Sequence, residues 1–117
     1  MADSVITIYH NPRCSKSRKT LELLRENGAE LNVVEYLTTP PDKAALKKIT
    51  RMLGLNAEQL VRKGEDTFKQ HFAGKALSED QWLEALAKYP ILIERPIVVK
   101  GTHAVLGRPP ENVLDLL

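Results

Sequence analysis

The chain has 117 residues, 43% hydrophobic and 27% charged, the balance of one globular domain and too apolar for a disordered chain. Seventeen Lys and Arg against fifteen Asp and Glu leave a net charge of +2, too weak for the basic face of a nucleic-acid binder. Its one cysteine, Cys14, cannot close an internal disulfide, which excludes a secreted disulfide scaffold.

In chain order, residues 1–9 carry Asp3 and show neither a basic n-region nor a long apolar h-region, so no signal peptide is read and a cytoplasmic location is expected. Val5-Ile6-Thr7-Ile8-Tyr9 reads as a short buried strand. Asn11-Pro12 marks a turn, and a helix starts within residues 14–17 with Leu21 and Leu24 on its inner face. Gly28, preceded by Asn27, sits where a helix ends. A second strand over residues 31–36 has Val33-Val34 as its apolar centre.

Thr38-Thr39-Pro40-Pro41 closes that strand and opens a helix, with proline in its first turn. Ala45, Leu46, Ile49 and Leu53 have helical spacing, and Gly54 follows. Residues 55–74 read as one or two short helices, with Asn56 and Glu65-Asp66 near their starts. Ser78-Glu79-Asp80-Gln81 is a capping-box pattern before a helix that buries Trp82, Leu83 and Leu86, and Pro90 stops it. Residues 97–100 and 104–106 read as a hairpin around Gly101-Thr102. A short helix over 110–117 ends the chain. No apolar run, Ile91-Leu92-Ile93 and Ile97-Val98-Val99 included, approaches the ~20 residues of a membrane helix.

The order β-α-β, helices, β-β-α predicts an α/β fold: a small mixed four-stranded sheet with flanking helices and its first two strands parallel. One domain is expected over residues 1–117.

Chemistry concentrates in His10-Asn11-Pro12-Arg13-Cys14-Ser15-Lys16-Ser17-Arg18, which runs from a strand end into a helix start. Unpaired amides and the positive end of the helix dipole favour an anion there, and a thiolate over a thiol. Arg13, Lys16 and Arg18 add positive charge, and His10 is placed to hydrogen-bond nearby. A free cysteine is often simply a buried apolar group, but a polar, basic, proline-containing loop fits that poorly. Ser17 is placed either to hydrogen-bond Cys14 or to cap the helix.

Arg95-Pro96 precedes a strand and Arg108-Pro109 follows one. The residue before proline is held extended, and an arginine's planar fork suits tetrahedral oxyanions. Arg62 is a third candidate. The residue six after Cys14 is Thr20, so the C-x5-R loop of cysteine phosphatases is excluded and any oxyanion site draws its arginines from distant segments. His10, His71 and His103 have no zinc-site spacing, and no metal is expected. Trp82 and Tyr89 read as packing residues, His71 and His103 as solvated, and Glu94 either orients Arg95 or lies on the surface.

The motifs Ile8-Tyr9-His10-Asn11-Pro12-x-Cys14-x-x-Ser17-Arg18, Leu60-Val61-Arg62-Lys63, Glu94-Arg95-Pro96-Ile97-Val98-Val99 and Gly107-Arg108-Pro109 resemble those of the glutaredoxin-dependent arsenate reductase family, over nearly the whole chain. The resemblance implies a thioredoxin-like fold with a helical insertion, about residues 40–90, between the second and third strands, and a cis peptide before Pro96. It implies arsenate as substrate, Cys14 as nucleophile and Arg62, Arg95 and Arg108 as oxyanion ligands, with His10, Ser17 and Pro96 in support. Glutathione would be co-substrate and glutaredoxin the protein reductant, with no bound cofactor and a monomer as the working unit. Ending soon after Arg108, the chain resembles a shorter chromosomal branch. The same superfamily leaves two other readings: a different glutathione-linked thiol oxidoreductase, and a regulator that binds RNA polymerase. Many such regulators carry C-x-x-C where this chain has Ser17.

Overall fold

In the computed structural model, which describes residues 5–117, the first β-branched run becomes strand β1 (Val5–His10), with Ile6, Ile8 and His10 buried. Residues 1–4, including the Asp3 used above in reading the N-terminus, lie outside the described residues. The chain divides into two units, one holding the residues up to 39 together with 95–117, the other residues 40–94.

In the first unit, helix α1 (Ser15–Glu26) follows β1 and buries Leu21 and Leu24. They pack in one cluster with Ile6, Ile8, Val98, Val113 and Leu116. Leu24 and Ile8 are fully buried, a gain of about 1.5–3 kcal/mol each over exposure. Asn27 caps α1, and Gly28 takes the left-handed conformation, φ 72°, that lets the chain turn back. Strand β2 (Glu30–Glu35) then pairs parallel with β1, from Val5 opposite Glu30 to His10 opposite Glu35. Strands β3 (Ile97–Lys100) and β4 (His103–Leu106) form the expected antiparallel hairpin, β3 also pairing antiparallel with β1. The sheet order is β2-β1-β3-β4.

Val33, in the apolar centre of the expected second strand, is 39% exposed. Strand β2 lies at the sheet edge with β1 as its one strand neighbour, and none of its six residues is buried. The C-terminal helix is a 3-10 helix (Pro110–Leu116) whose Val113 and Leu116 are buried.

The second unit lies in the chain between β2 and β3 and is helical. Helix α2 (Lys43–Leu53) begins later than expected, because the Asp42 side chain accepts from the Ala45 amide and sets the start; Pro40 and Pro41 precede the cap. Leu46, Ile49 and Thr50 form its buried face, and Gly54 ends it. A 3-10 turn (Ala57–Leu60) opens with a capping box between Asn56 and Gln59. Helix α3 (Asp66–His71) follows, then α4 (Glu79–Lys88), whose predicted Ser78–Gln81 capping box forms and whose Trp82, Leu83, Ala85 and Leu86 are buried. Phe68 stacks on Trp82 at 6.3 Å, and the exposed His71 stacks on Tyr89 at 5.2 Å. Trp82 and Tyr89 thus pack against other rings, in line with the packing role read for them. A second 3-10 turn (Pro90–Leu92) and a bridge between Val61 and Ile93 close the unit. Among the described residues no helix is long and apolar enough to cross a membrane.

Candidate active site

The site is built at the end of β1, where the chain turns before α1. Asn11 makes that turn: its carbonyl accepts from the Cys14 amide at 3.0 Å and its side chain from the Arg13 amide at 3.0 Å. Cys14 is therefore the last extended residue before the helix, with φ −92° and ψ 123°, and its carbonyl takes the Arg18 amide into the first helical turn. Its thiol is partly exposed.

The antiparallel pairing of Tyr9 with Ile97 brings Arg95 and Pro96 to this same end of the sheet. The end of β4 delivers Gly107 and Arg108 there as well, the Gly107 amide donating to the Pro96 carbonyl at 2.9 Å. The Arg95–Pro96 peptide is cis, as the resemblance implies, and so is Arg108–Pro109. Gly107 has no room for a side chain: a Cβ there would lie 2.7 Å from both the Pro96 ring and the Thr20 hydroxyl. Thr20, six residues after Cys14, has a packing role instead, donating its hydroxyl to the Lys16 carbonyl at 2.8 Å.

Partial burial pushes the Cys14 thiol upward, but the Ser17 amide, the Arg95 guanidinium and the Lys16 amide all hydrogen-bond the sulfur and favour its anion. Their sum places the thiol below its ordinary value. Two of these donors are the helix-start amides expected above. The cation comes from much farther along the chain than Arg13, Lys16 or Arg18; Arg18 instead folds back to donate to the Pro12 carbonyl at 2.9 Å. Arg95 also meets the phenol of Tyr36, a residue not singled out in the sequence. Burial works against the Arg95 charge, yet Tyr36 and Cys14 outweigh it and hold the proton more firmly than on an ordinary arginine. Arg108 lies beside Arg95, donating to its backbone carbonyl at 3.4 Å.

His10 and Ser17 form a buried clip behind the loop. Ser17 Oγ lies 2.6 Å from His10 Nδ1 and accepts from the Asn11 amide at 3.0 Å. The Ser17 side chain thus neither caps the helix nor reaches Cys14; its backbone amide does the latter. Burial lowers the His10 pKa, with Arg25 and Arg18 acting in the same sense and Glu35 opposing. The lowered pKa favours the neutral imidazole, and in the tautomer that carries its proton on Nε2 the Ser17 hydroxyl donates to Nδ1.

Arg62 has different company. Its Nε donates to Glu65 at 3.3 Å and its Nη1 to Glu94 at 3.1 Å, within the helical unit. Glu94 therefore engages Arg62, a possibility the sequence reading did not include. Among the described residues no group of three or more His, Cys, Asp or Glu is arranged to hold a metal ion.

The chain matches the model of the ArsC family over residues 9–116. It is 51% identical to the uncharacterized protein YfgD of Escherichia coli strain K12 over 114 residues, 96% of each chain. It is 47% identical to an arsenate reductase of Neisseria meningitidis, covering 96% of this chain and 97% of that one. The solved structure of an arsenate reductase from Vibrio cholerae superposes with a TM-score of 0.93 at 46% identity, covering 97% of this chain and 98% of that one. The mixed sheet, its flanking helices and this likeness make the fold thioredoxin-like.

Proposed function

The chain belongs to the ArsC family, and on that premise we propose that it is an arsenate reductase with Cys14 as its nucleophile. The observation that carries this reading is the sulfur's surroundings: two helix-start amides and the Arg95 guanidinium hold it below its ordinary pKa. That arrangement ionises a nucleophile and leaves a cationic, donor-rich pocket for the anion it attacks.

In the proposed reaction the Cys14 thiolate attacks the arsenic of arsenate, the As–O bond breaks and its hydroxide leaves, taking a proton from solvent to become water, which gives a thiol-arsenate adduct. Arg95 and Arg108 bind the arsenate oxygens. The resemblance adds Arg62 as a third ligand. A glutathione thiolate then attacks the Cys14 sulfur; the S–As bond breaks and its electron pair stays on arsenic, so As(V) leaves as arsenite. The Cys14–glutathione disulfide that remains is reduced by glutaredoxin, which suits a chain with one cysteine and so no second thiol of its own. We place His10, Ser17 and Pro96 in support of Cys14, and the enzyme in the cytoplasm as a monomer, where the glutathione pool is reducing.

NADPH consumption by the purified protein with arsenate, glutathione, glutaredoxin and glutathione reductase tests this reading. Arsenate-dependent turnover should fall at least ~10³-fold in Cys14→Ser, because a serine hydroxyl has no comparable anion at neutral pH. Turnover that survives in Cys14→Ser would remove Cys14 from the mechanism. A folded wild-type protein inactive with arsenate but active on another glutathione-linked substrate would favour the general thiol oxidoreductase.

A further inference from the structure

We propose that a groove of about 380 Å³ beside the cysteine loop, lined by His10, Arg18, Glu22 and Arg25, is the binding site for glutathione. The two arginines take its carboxylates and Glu22 takes its ammonium group. The inference rests on the reading of glutathione as the co-substrate of Cys14 and gives that co-substrate a place on the protein.

The groove lies wholly within the sheet unit, and its volume falls in the range of small-molecule sites. Pro12 and Leu21 supply its apolar part. Arg18, Glu22 and Arg25 follow one another at spacings of four and three residues, so they share one face of α1. All three are exposed, and among the described residues none of them forms a salt bridge. Arg18 donates from Nη1 to the Pro12 carbonyl at 2.9 Å, which holds its guanidinium at the loop and leaves the other donors of the fork open.

His10 separates this groove from an ordinary charged surface. It is only 6% exposed, and its Nδ1 lies 2.6 Å from Ser17 Oγ. Ser17 Oγ already accepts from the Asn11 amide, so its own proton goes to Nδ1 and Nε2 carries the ring proton. Among the described residues Nε2 has no hydrogen-bond partner, yet it is not one of the sealed polar atoms that lack one. It therefore opens at the surface where His10 lines the groove. A nearly buried N–H aimed into a cleft calls for an acceptor, and a ligand carboxylate or carbonyl supplies it.

The groove thus offers two cations, one anion, one neutral donor and an apolar part. An inorganic oxyanion would leave Glu22 and the apolar part unused. Glutathione brings two carboxylates, one ammonium group and peptide carbonyls on a partly apolar chain. The place also suits its thiol. Pro12 and Arg18 flank Cys14 in the chain, the Cys14 carbonyl accepts from the Arg18 amide at 3.0 Å, and side chains on α1 lean toward its N-terminus, hence toward the loop.

The test uses S-methylglutathione, which cannot form a disulfide, with no arsenate present. Calorimetric titration of the wild type should give a Kd of about a millimolar. Arg25→Ala, which removes an exposed side chain, should weaken binding about tenfold. Acetylating the ligand's ammonium group should weaken it about threefold in the wild type, and Glu22→Gln should erase that difference. In NMR spectra the His10 ring signals should move on titration while those of His71 and His103 stay in place. Equal binding by Arg25→Ala, unmoved His10 signals, or a Glu22→Gln variant that still distinguishes the acetylated ligand overturns the proposal. So does full displacement of the ligand by sodium sulfate at the same concentration, which would mark a site for any anion. Arsenate turnover without S-methylglutathione binding would overturn the groove alone, whereas binding as described without arsenate turnover would overturn the reading of the reaction.

Discussion

Arg95 and Arg62 are the same residue type, each within a short sequence motif, yet their surroundings are of opposite character. Arg95 meets a thiol and a phenol, groups that are neutral or only conditionally anionic, and the arginine itself biases the sulfur toward its anion. Arg62 meets the carboxylates of Glu65 and Glu94 as ion pairs at 3.3 and 3.1 Å. A guanidinium between two carboxylates has much of its charge balanced in place, whereas one beside a thiol has charge to offer an incoming oxyanion. An arginine's presence in a motif therefore says less about its task than the partners its backbone position allows.

The sharpest way to break this comparison is to remove each arginine and read both activity and the Cys14 pKa. Arg95→Ala should cost about a hundredfold in kcat/KM for arsenate, roughly the loss of one strong charged hydrogen-bonding group at a reacting centre. It should also raise the Cys14 pKa. Arg62→Ala should leave the Cys14 pKa where it is and cost about tenfold, chiefly in KM, as removal of one ligand for an anion does. A Cys14 pKa that moves in Arg62→Ala and not in Arg95→Ala would reverse the assignment.

Gly107→Ala tests how closely Arg95 depends on its surroundings. Its Cβ would meet the Pro96 ring and Thr20 at 2.7 Å, so overpacking should lower stability by about 1–3 kcal/mol in urea unfolding. Because Pro96 adjoins Arg95, the variant should also raise the Cys14 pKa, with no change in the Arg62 pairs. A variant as stable as wild type would mean that the contact relaxes freely.

The smallest expected effect concerns His10. Burial holds its folded pKa below the ordinary 6.5, so below that pH the unfolded chain binds more protons and stability falls. The contribution is complete above about pH 6.5 and is lost as pH drops through the folded value. His10→Asn should flatten the acid-side slope of unfolding free energy between about pH 7 and 5, whatever it does to stability at pH 7. An unchanged slope would show that another group titrates there.

Much of the sheet unit was legible because its signals are local. The β-branched and aromatic run in residues 5–9, Gly28 after Asn27 and the Gly101-Thr102 turn all act over a few residues, as does the helix start behind Cys14. The Ser78–Gln81 capping box was legible for the same reason. What escaped depends on partners distant in the chain. Val33 reads as a strand centre until the sheet order leaves β2 at the edge. Pro40 and Pro41 suggest a helix opening, but Asp42 makes a better acceptor for the Ala45 amide and moves the start. At the site, the anion-stabilising helix start could be read from sequence, whereas Tyr36 beside Arg95 and Glu94 on Arg62 could not. The one available signal for Tyr36 was an aromatic residue with a polar tip at the end of a strand parallel to the one leading into the cysteine loop.

The central claim is that Cys14 bonds to the arsenic of arsenate and that one glutathione then takes up the Cys14 sulfur as a disulfide, leaving the S–As electron pair on arsenic. Intact-mass spectrometry on the protein incubated with arsenate and glutathione, without glutaredoxin, reads that step directly. The account predicts one glutathione on Cys14, formed only when arsenate is present and absent in Cys14→Ser. An adduct that forms equally well without arsenate, or no adduct while arsenite accumulates, would contradict it.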